Sequence, residues 1–327
     1  MAGDFDQLAG FYDLDYPDTS DHEFLRRLVT AVDPGRLLEV PCGSGRNVAV
    51  LLAAARGQVV FADLAASMVG EAQAKIGVAD RDRARAVVAD LTALGVVGGC
   101  DLVICPREAF QLLDRADAAL ALGSMASALR EGGLIALDLY HFGPGEPVAA
   151  DAPPDYYGAG REGAGREGAG PDGAGPGGAG PDGAGPDGWV TDWTRRTPDG
   201  RLKVRRHRRQ RVVTDGARFE MRYAVWTADR VITAESAESA EPQILELDFG
   251  MANYSASEIG ELAGGAGLEV LACLRGYGSV PSSLRTVYVL GVLGDDRLQQ
   301  SRERVHRIRA MIGQQLPAAE SDRPDPG

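Results

Sequence analysis

Residues 36–53 read RLLEVPCGSGRNVAVLLA, a run with the features of a strand, a turn and a helix in succession. The first part is short and apolar, which is typical of a buried strand. Gly43 and Gly45 mark a turn, and the apolar residues after them have helical spacing. Such a turn brings bare backbone and a helix N-terminus against a ligand. The third glycine of the dinucleotide fingerprint is absent, so the segment is not typical of NAD binding.

The same alternation of strands and helices continues on both sides of this segment. Further strands are predicted at 58–63, 84–90, 100–106 and 132–140. Helices are predicted at 21–32, 45–56, 66–76 and 115–130, with Asp21 as the N-cap of the first. Continuously apolar strands that alternate with helices indicate a parallel sheet covered on both faces.

A different pattern follows residue 140. Residues 158–187 repeat in fives, as GAGRE, GAGPD or GAGPG, and this composition predicts disorder. Segments at 189–213, 217–229 and 243–255 predict an antiparallel sheet inserted into the parallel one. The first pattern then returns with a helix at 256–266 and strands at 267–275 and 285–293. A peripheral C-terminal helix is predicted from a stripe of Leu298, Val305, Ile308 and Met311.

The predicted fold class is therefore α/β. It is a Rossmann-like, seven-stranded, mostly parallel sheet with helices on both faces and an inserted antiparallel β-sheet. The predicted division is an N-terminal arm and helix (1–35), a core (36–148 and 255–294), the inserted sheet (149–254, including a disordered Gly-rich repeat at 158–188), and a C-terminal helix and tail (295–327).

Composition limits the partners and the compartment. The chain has 327 residues and a formal net charge of -13, which disfavours nucleic acid as a partner. It lacks an apolar run long enough to span a membrane and an N-terminal signal pattern, so a cytoplasmic protein without membrane contact is expected. Its four cysteines lack the paired spacing of a zinc site, so reduced thiols and no metal are expected.

Acidic residues stand near the ends of the predicted parallel strands, the edge at which open sheets bind ligands. Glu39 precedes the glycine turn, Asp63 ends the second strand and Asp90 ends the third. Asp63 suits a ribose diol, because a carboxylate can accept from both hydroxyl groups. An acid before the glycines suits a cationic cofactor. The pattern favours S-adenosylmethionine, which has an ammonium and a sulfonium and no phosphate.

Four segments in this order resemble class I S-adenosylmethionine-dependent methyltransferases: LLEVPCGSGRN, VVFADLAASMVGEAQAK, VVADL, and CDLVICPREAFQLL with ALREGGLIALDLY. The chain is most similar to small-molecule methyltransferases with an antiparallel insertion after strand five, such as the aminosugar N-methyltransferases. The resemblance covers most of the chain except the repeats and the C-terminal tail, and it implies S-adenosyl-L-methionine as cofactor. Pro41 departs from the family, in which glycine or alanine is common at this position.

The resemblance also implies roles for individual residues. The first motif would line the methionine moiety, Asp63 would bind the ribose, and Asp90 would accept from the adenine amino group. The alternative for Asp90 is a cap of the following turn. For Tyr12 and Tyr16, in FYDLDYP, the alternatives are a cover over the cofactor or an anchor for the N-terminal arm. The implied cofactor-binding residues are Tyr12, Tyr16, Glu39, Gly43, Ser44, Gly45, Asp63, Leu64, Met68, Asp90, Leu91 and Cys105.

On the acceptor side, methyl transfer chiefly needs alignment of the acceptor lone pair and exclusion of water. A base helps a hydroxyl more than an amine. The predicted catalytic residues are His141, Glu108 and Tyr140. The predicted substrate-binding residues are Arg107, Gln111 and Tyr254. The alternatives are a surface role for His141 and an ion pair with Arg107 for Glu108.

The run RLKVRRHRRQR at 201–211 is the most basic part of the chain. Arginines on both faces of a strand predict a solvated sheet edge that resists aggregation. The alternative is an anionic substrate held by arginine forks.

The predicted function is methyl transfer to a nitrogen, or an oxygen, of a small-molecule or natural-product intermediate. A nicotinamide-dependent oxidoreductase is disfavoured by the missing glycine and by Asp90. An S-adenosylmethionine-binding protein without catalysis stays open, as does an oligomer formed through the inserted sheet.

Overall fold

The structure, a computed structural model, describes residues 5–17, 19–95, 97–140, 188–227, 241–277, 285–292 and 295–312. The Gly-rich repeat and His141 lie outside these residues. The α-helices are α1 His22–Val32, α2 Val48–Ala54, α3 Ala66–Lys75, α4 Arg115–Ala128, α5 Ala256–Gly265 and α6 Asp295–Ile312. The strands are β1 Arg36–Glu39, β2 Gln58–Asp63, β3 Ala84–Val88, β4 Cys100–Cys105, β5 Leu129–Tyr140, β6 Val190–Arg196, β7 Leu202–Val213, β8 Gly216–Thr227, β9 Gln243–Ala252, β10 Leu268–Arg275 and β11 Arg285–Val292.

Seven strands form the main sheet in the order β10-β11-β5-β4-β1-β2-β3. The pairs within β1 to β5 are parallel, and β11 is antiparallel to both β5 and β10. Chain order reverses between β1 and β4, which is where an open α/β sheet binds its ligand at the carboxyl ends of the strands. The predicted Rossmann-like fold class is confirmed.

Each face of the main sheet has its own apolar core, because successive side chains of a strand point to opposite faces. Leu37 packs with α1, α2 and α6, whereas Leu38 packs with α4 and α5. The predicted stripe on α6 is correct at Val305 and Ile308, but Met311 is 42% exposed and Ile312 is buried in its place. A helix of 3.6 residues per turn drifts away from a spacing of three, so the stripe continues to residue 312.

The second sheet has the order β6-β7-β8-β9 and is antiparallel throughout, as predicted for the inserted segment. Its inner face packs on the N-terminal segment, which we define as residues 5–16, and on Met68 of α3. The rings of Phe11 and Tyr223, one from each layer, lie 5.4 Å apart between centroids. The second sheet therefore covers the N-terminal segment, which in turn covers the carboxyl edge of the main sheet.

The solvated-edge interpretation of the basic run is wrong. The run forms β7, which lies between β6 and β8. Arg206 and Arg208 point inward and are buried, and both donate to the Asp192 carboxylate, at 2.8 and 3.1 Å. Arg206 also donates to Asp15 of the N-terminal segment at 3.0 Å. Buried carboxylates that face the strand neutralise its inward arginines, so the run can occupy the interior of a sheet.

Candidate functional site

The carboxyl ends of β1, β2, β3 and β4 surround a cavity of about 260 Å³. The N-terminal segment and β9 complete its wall through Phe5, Tyr12, Phe249 and Met251. A cavity at this edge, lined mainly by apolar side chains with a few polar ones, has the character of a small-molecule site. The predicted residues that line it are Tyr12, Tyr16, Glu39, Gly43, Ser44, Asp63, Leu64, Met68, Asp90, Leu91, Arg107 and Glu108.

Glu39 is a buried carboxylate in the cavity wall, 1% exposed. Its Oε1 accepts a hydrogen bond from Asn47 Nδ2 at 2.6 Å, while Oε2 is buried and has no hydrogen-bond partner among the described residues. Burial raises the pKa of Glu39 to about 8, although Asn47 and Arg46 oppose that rise. A buried acceptor without a donor is costly unless a ligand supplies one. The cavity wall thus contains an acceptor suited to a cationic or N–H group.

Asp63 ends β2 and organises the glycine turn. Its Oδ2 accepts from the backbone N–H of Gly43 at 2.8 Å, and its Oδ1 accepts from that of Ala65 at 2.9 Å. Burial raises the pKa of Asp63, and these backbone hydrogen bonds oppose the rise. Each carboxylate oxygen has a further lone pair, so the group can still accept from a ligand.

The two glycines of the turn serve different purposes. Gly43 has φ +53° and lies in the cavity wall beside Tyr12. Gly45 has φ +83° and lies under α3, where a Cβ atom would meet Cα of Ala72 at 2.6 Å. Gly45 does not line the cavity. Glycine is required there because the backbone is left-handed and because α3 packs too closely to leave room for a side chain.

We expect Gly45→Ala to lower the free energy of unfolding by about 2–4 kcal/mol, from left-handed strain and overpacking together. Urea denaturation measures the loss. Gly70→Ala, on α3 with open space around its Cβ position, is the control and should not destabilise the protein. Equal stability of Gly45→Ala and the wild type would contradict the packing argument.

Asp90 follows β3 and is exposed. Its Oδ1 accepts from the backbone N–H of Thr92 at 2.8 Å and from its hydroxyl at 2.7 Å. Asp90 therefore caps a turn and also lines the cavity, so the two alternatives are compatible. Leu64, 48% exposed, and the buried Met68 supply apolar surface to the same part of the wall.

The N-terminal segment closes one side of the cavity. The rings of Tyr12 and Tyr16 lie 4.9 Å apart and both line it. The segment is fastened to the core by Asp13, which accepts from the Ser44 hydroxyl and pairs with Lys75. The tyrosines thus form part of the wall, while Asp13 anchors the arm to the core.

Asp21 does not cap α1, which corrects the prediction from the sequence. Its side chain makes no capping hydrogen bond and instead forms a buried ion pair with Arg46, which follows the glycine turn. The guanidinium lowers the pKa of Asp21 against the opposing effect of burial. This ion pair fixes the start of α1 against the turn that forms the cavity wall.

The tip of β4 has an unusual backbone. Arg107 and Glu108 are consecutive non-glycine residues with positive φ, +53° and +57°. Asp138 of β5 holds them: its Oδ2 accepts from the Arg107 N–H at 3.0 Å, and its carbonyl accepts from the Glu108 N–H at 3.2 Å. The Arg107 guanidinium lies 5.5 Å from the Tyr16 ring centroid. Such strain persists only where the surroundings enforce it, and it is concentrated at functional sites.

Several predicted residues do not line the cavity. Gln111 is buried and bridges β5 to β9, donating to the carbonyls of Tyr140 and Ala252 and accepting from the Tyr140 N–H. Tyr254 is buried and donates to the Leu113 carbonyl at 3.1 Å. The predicted residues outside the wall are Gly45, Cys105, Gln111, Tyr140 and Tyr254.

Sequence reasoning missed other residues of the site. Asn47 could have been predicted from the sequence, because it stands at the start of α2, three residues after Ser44. Phe249 and Met251 reach the cavity from a different sheet, and no local pattern places them there. The same holds for Asp138 and Arg285, whose importance depends on contacts between β4, β5 and β11.

Comparisons with known proteins identify a related family and related folds. Residues 37–133 match a family described as a methyltransferase domain. The match confirms the predicted resemblance, the predicted enzyme class and S-adenosylmethionine as the cofactor. No match was found among curated protein sequences.

Solved structures share the fold over most of the chain. A sugar N-methyltransferase, KedS8 from Streptoalloteichus, is 20% identical with a TM-score of 0.57, covering 85% of this chain and 92% of its own. CalS10, an amino pentose methyltransferase from Micromonospora echinaspora, is 19% identical with a TM-score of 0.54, covering 85% and 95%. An S-adenosylmethionine-dependent methyltransferase from Clostridium acetobutylicum is 14% identical with a TM-score of 0.56, covering 88% and 96%. At these identities the likeness concerns the fold.

Proposed function

We propose that this protein, which carries a methyltransferase domain at residues 37–133, methylates an amino nitrogen of a small molecule with S-adenosylmethionine as methyl donor. The observation that carries the proposal is the Glu39 carboxylate. Its buried Oε2 lacks a donor among the described residues and belongs to the cavity wall at the strand ends. An ammonium group, such as that of the cofactor's methionine moiety, would supply the missing donor and a compensating charge.

The other strand ends fit the remaining parts of the cofactor. Asp63 would accept from the ribose hydroxyls, and Asp90 from the adenine amino group. The adenine would lie between the apolar side chains of Leu64, Met68 and Leu91. Bare backbone at Gly43 and Ser44 would approach the methionine moiety, and Tyr12 and Tyr16 would cover the cofactor.

The bound cofactor supplies an electrophilic methyl group on a sulfonium. The chain's own contribution is to orient the acceptor and to exclude water. Phe249 and Met251 of β9, with Leu112 and Leu113 after β4, form an apolar part of the wall suited to the second task. The acceptor would enter beside the tip of β4, where Arg107 and Glu108 supply the polar groups.

Nitrogen is the favoured acceptor atom, and an amino sugar is the acceptor class we put first. The names of KedS8 and CalS10 describe methyltransferases of a sugar nitrogen and of an amino pentose, and these proteins share the fold. A hydroxyl acceptor is the alternative. The cytoplasm is the compartment we propose, supported by four cysteines that form no disulfide. No helix among the described residues is long and apolar enough to cross a bilayer.

Calorimetry with S-adenosylhomocysteine and NADH tests the cofactor assignment. We expect S-adenosylhomocysteine to bind and NADH to show no measurable heat. Binding of NADH alone would overturn the proposal. Turnover is then tested by incubation with S-adenosylmethionine and a panel of amino sugars and matching hydroxyl sugars, with mass spectrometry to detect an added methyl group. Transfer to the hydroxyl sugars only would move the assignment to oxygen.

A pH effect provides an independent check on Glu39. Because burial raises its pKa to about 8, the carboxyl is largely protonated at pH 7. A bound ammonium favours the charged form and lowers this pKa, so binding of S-adenosylhomocysteine at pH 7 should release protons. The binding enthalpy should then depend on the ionisation heat of the buffer. Glu39→Gln should remove most of that dependence, and an unchanged dependence in this variant would contradict the assignment.

A further inference from the structure

A second buried carboxylate, Glu108, lies in the cavity wall at the tip of β4. It is 0% exposed, and its Oε2 has no hydrogen-bond partner among the residues described. Its Oε1 forms an ion pair with Arg285 of β11. Two buried glutamates thus belong to the wall, one at the tip of β1 and one at the tip of β4, and the Oε2 atom of each lacks a donor within the described part of the chain.

The groups around Glu108 make more contacts with the neighbouring carboxylate, Asp138, than with Glu108 itself. Arg285 also pairs with Asp138 at 2.8 Å, and Asp138 in turn accepts from the Tyr277 hydroxyl at 2.6 Å and from the Arg107 N–H at 3.0 Å. Asp138 therefore accepts from several donors, whereas Glu108 Oε1 is paired with a guanidinium that also binds Asp138. Of the two carboxylates, Glu108 is the one with capacity left for a ligand.

The backbone supports a role beyond packing. Arg107 and Glu108 have left-handed φ angles although neither is glycine, and the Asp138 hydrogen bonds hold them there. A relaxed turn would remove Glu108 from its place beside Arg285. Backbone strain and the burial of a carboxylate each raise the free energy of the folded state, and both occur at Glu108.

The charged and titratable groups that face Glu108 are Arg285 of β11, Asp138 of β5, Arg107 of its own loop and Tyr277 after β10. Burial raises the pKa of Glu108 to about 7, with Arg285 and Arg107 opposing the rise and Asp138 adding to it. Burial therefore makes this carboxyl group a stronger base than an exposed one, which suits a group that exchanges a proton with a substrate.

We propose that Glu108 binds the ammonium form of the acceptor and takes its proton, and that Arg285 and Asp138 act as positioning residues for it. The inference rests on the proposed function and assigns the acceptor side of the same cavity. Glu39 and Glu108 would then bind two different cations, one on the methyl donor and one on the acceptor.

The proton passes from the nitrogen of the acceptor ammonium to Glu108 Oε2, which leaves a lone pair on the nitrogen. The neutral amine then forms a bond to the methyl carbon while the carbon–sulfur bond breaks and sulfur keeps the electron pair. The products are a methylated ammonium and S-adenosylhomocysteine. Glu108 returns its proton to water when the products leave, so atoms and charges balance.

Sinefungin allows a test without knowledge of the acceptor. In this S-adenosylmethionine analogue an amine-bearing carbon replaces the methylsulfonium, so its ammonium marks the place where donor and acceptor meet. Affinities for sinefungin and S-adenosylhomocysteine are measured by calorimetry at pH 6 and pH 8. Because both ligands share the methionine ammonium, effects of Glu39 cancel in their ratio. Since the sinefungin amine stays protonated over this range, we expect the preference for sinefungin to rise from pH 6 to pH 8, by up to about tenfold, as Glu108 ionises.

Glu108→Gln should abolish this rise and lower sinefungin affinity at pH 8 about tenfold, the size expected for loss of a charged partner. Its S-adenosylhomocysteine affinity should stay within about twofold, since that ligand lacks the second ammonium. Glu71→Gln, at an exposed position on α3, is the matched control and should behave like the wild type.

A preference that does not change with pH in the wild type overturns the role of Glu108, and this measurement needs no variant to fold. A rise that persists in Glu108→Gln overturns it as well. Failure of S-adenosylhomocysteine to bind the wild type at all would instead overturn the proposed function, so the two failures are distinguishable.

Discussion

Asp63→Ala is expected to lower the affinity for S-adenosylhomocysteine by about a hundredfold or more. Two effects combine. In the proposed complex the ribose would lose a charged acceptor, and the N–H groups of Gly43 and Ala65 lose the carboxylate that holds the turn in shape. Hydrogen bonds to a charged group contribute about 1.5–3 kcal/mol each, so the loss of two is of this order. Calorimetry at a temperature well below the unfolding transition measures the affinity.

Two further variants separate binding from folding. Asp63→Asn keeps one oxygen to accept a backbone N–H, so its affinity should lie between those of the wild type and Asp63→Ala. Asp82→Ala, at an exposed position before β3, should change nothing. Near-native affinity in Asp63→Ala would show that the ribose binds elsewhere.

Arg206→Met is expected to lower the free energy of unfolding by about 3–5 kcal/mol, the cost of breaking a buried ion pair. Arg206 is 1% exposed and lies between the carboxylates of Asp15 and Asp192. Its removal leaves Asp15, whose pKa burial already raises, with the Tyr223 hydroxyl as its remaining hydrogen-bond donor among those described. Denaturant unfolding followed by circular dichroism measures the effect.

The outer face of the second sheet provides the control. Arg222 pairs with Glu246 across β8 and β9, and both side chains are exposed. Arg222→Met should therefore cost less than about 1 kcal/mol. The double variant Arg206→Met, Asp15→Leu should recover part of the stability, because it removes a stranded charge together with its partner. Equal losses in the Arg206 and Arg222 variants would be incompatible with a buried cluster.

The main sheet was predictable because each of its strands and helices has a recognisable local pattern of apolar residues. The central residues of β1, β2 and β4 are apolar, and Gly43 and Asp63 stand after or at the carboxyl ends of β1 and β2, the edge at which parallel sheets bind ligands. The cofactor side of the cavity follows from such positions. What local pattern could not provide is the distinction between Gly43, in the wall, and Gly45, which packs against α3.

The acceptor side depends on contacts between distant segments, and there the prediction was less successful. Gln111 and Tyr254 were expected at the substrate, but their polar groups satisfy backbone carbonyls across more than a hundred positions of sequence. Arginines of the basic run were expected in water, because their buried partners Asp15 and Asp192 cannot be paired with them from sequence alone. Whether a charged side chain is buried depends on how the two sheets and the N-terminal segment pack together, which local sequence does not show.

The cavity is covered by the N-terminal segment together with the second sheet, which lies far downstream in the sequence. Asp15 is held by Arg206 and Tyr223, which follow it by 191 and 208 positions. During synthesis the N-terminal segment, the glycine turn and its acids emerge from the ribosome long before the second sheet does. Segments that close such long loops come together late in folding. Nascent chains halted before β7 should therefore contain the strand ends proposed to bind the cofactor but retain it poorly, and tight retention should begin only once β9 has been made.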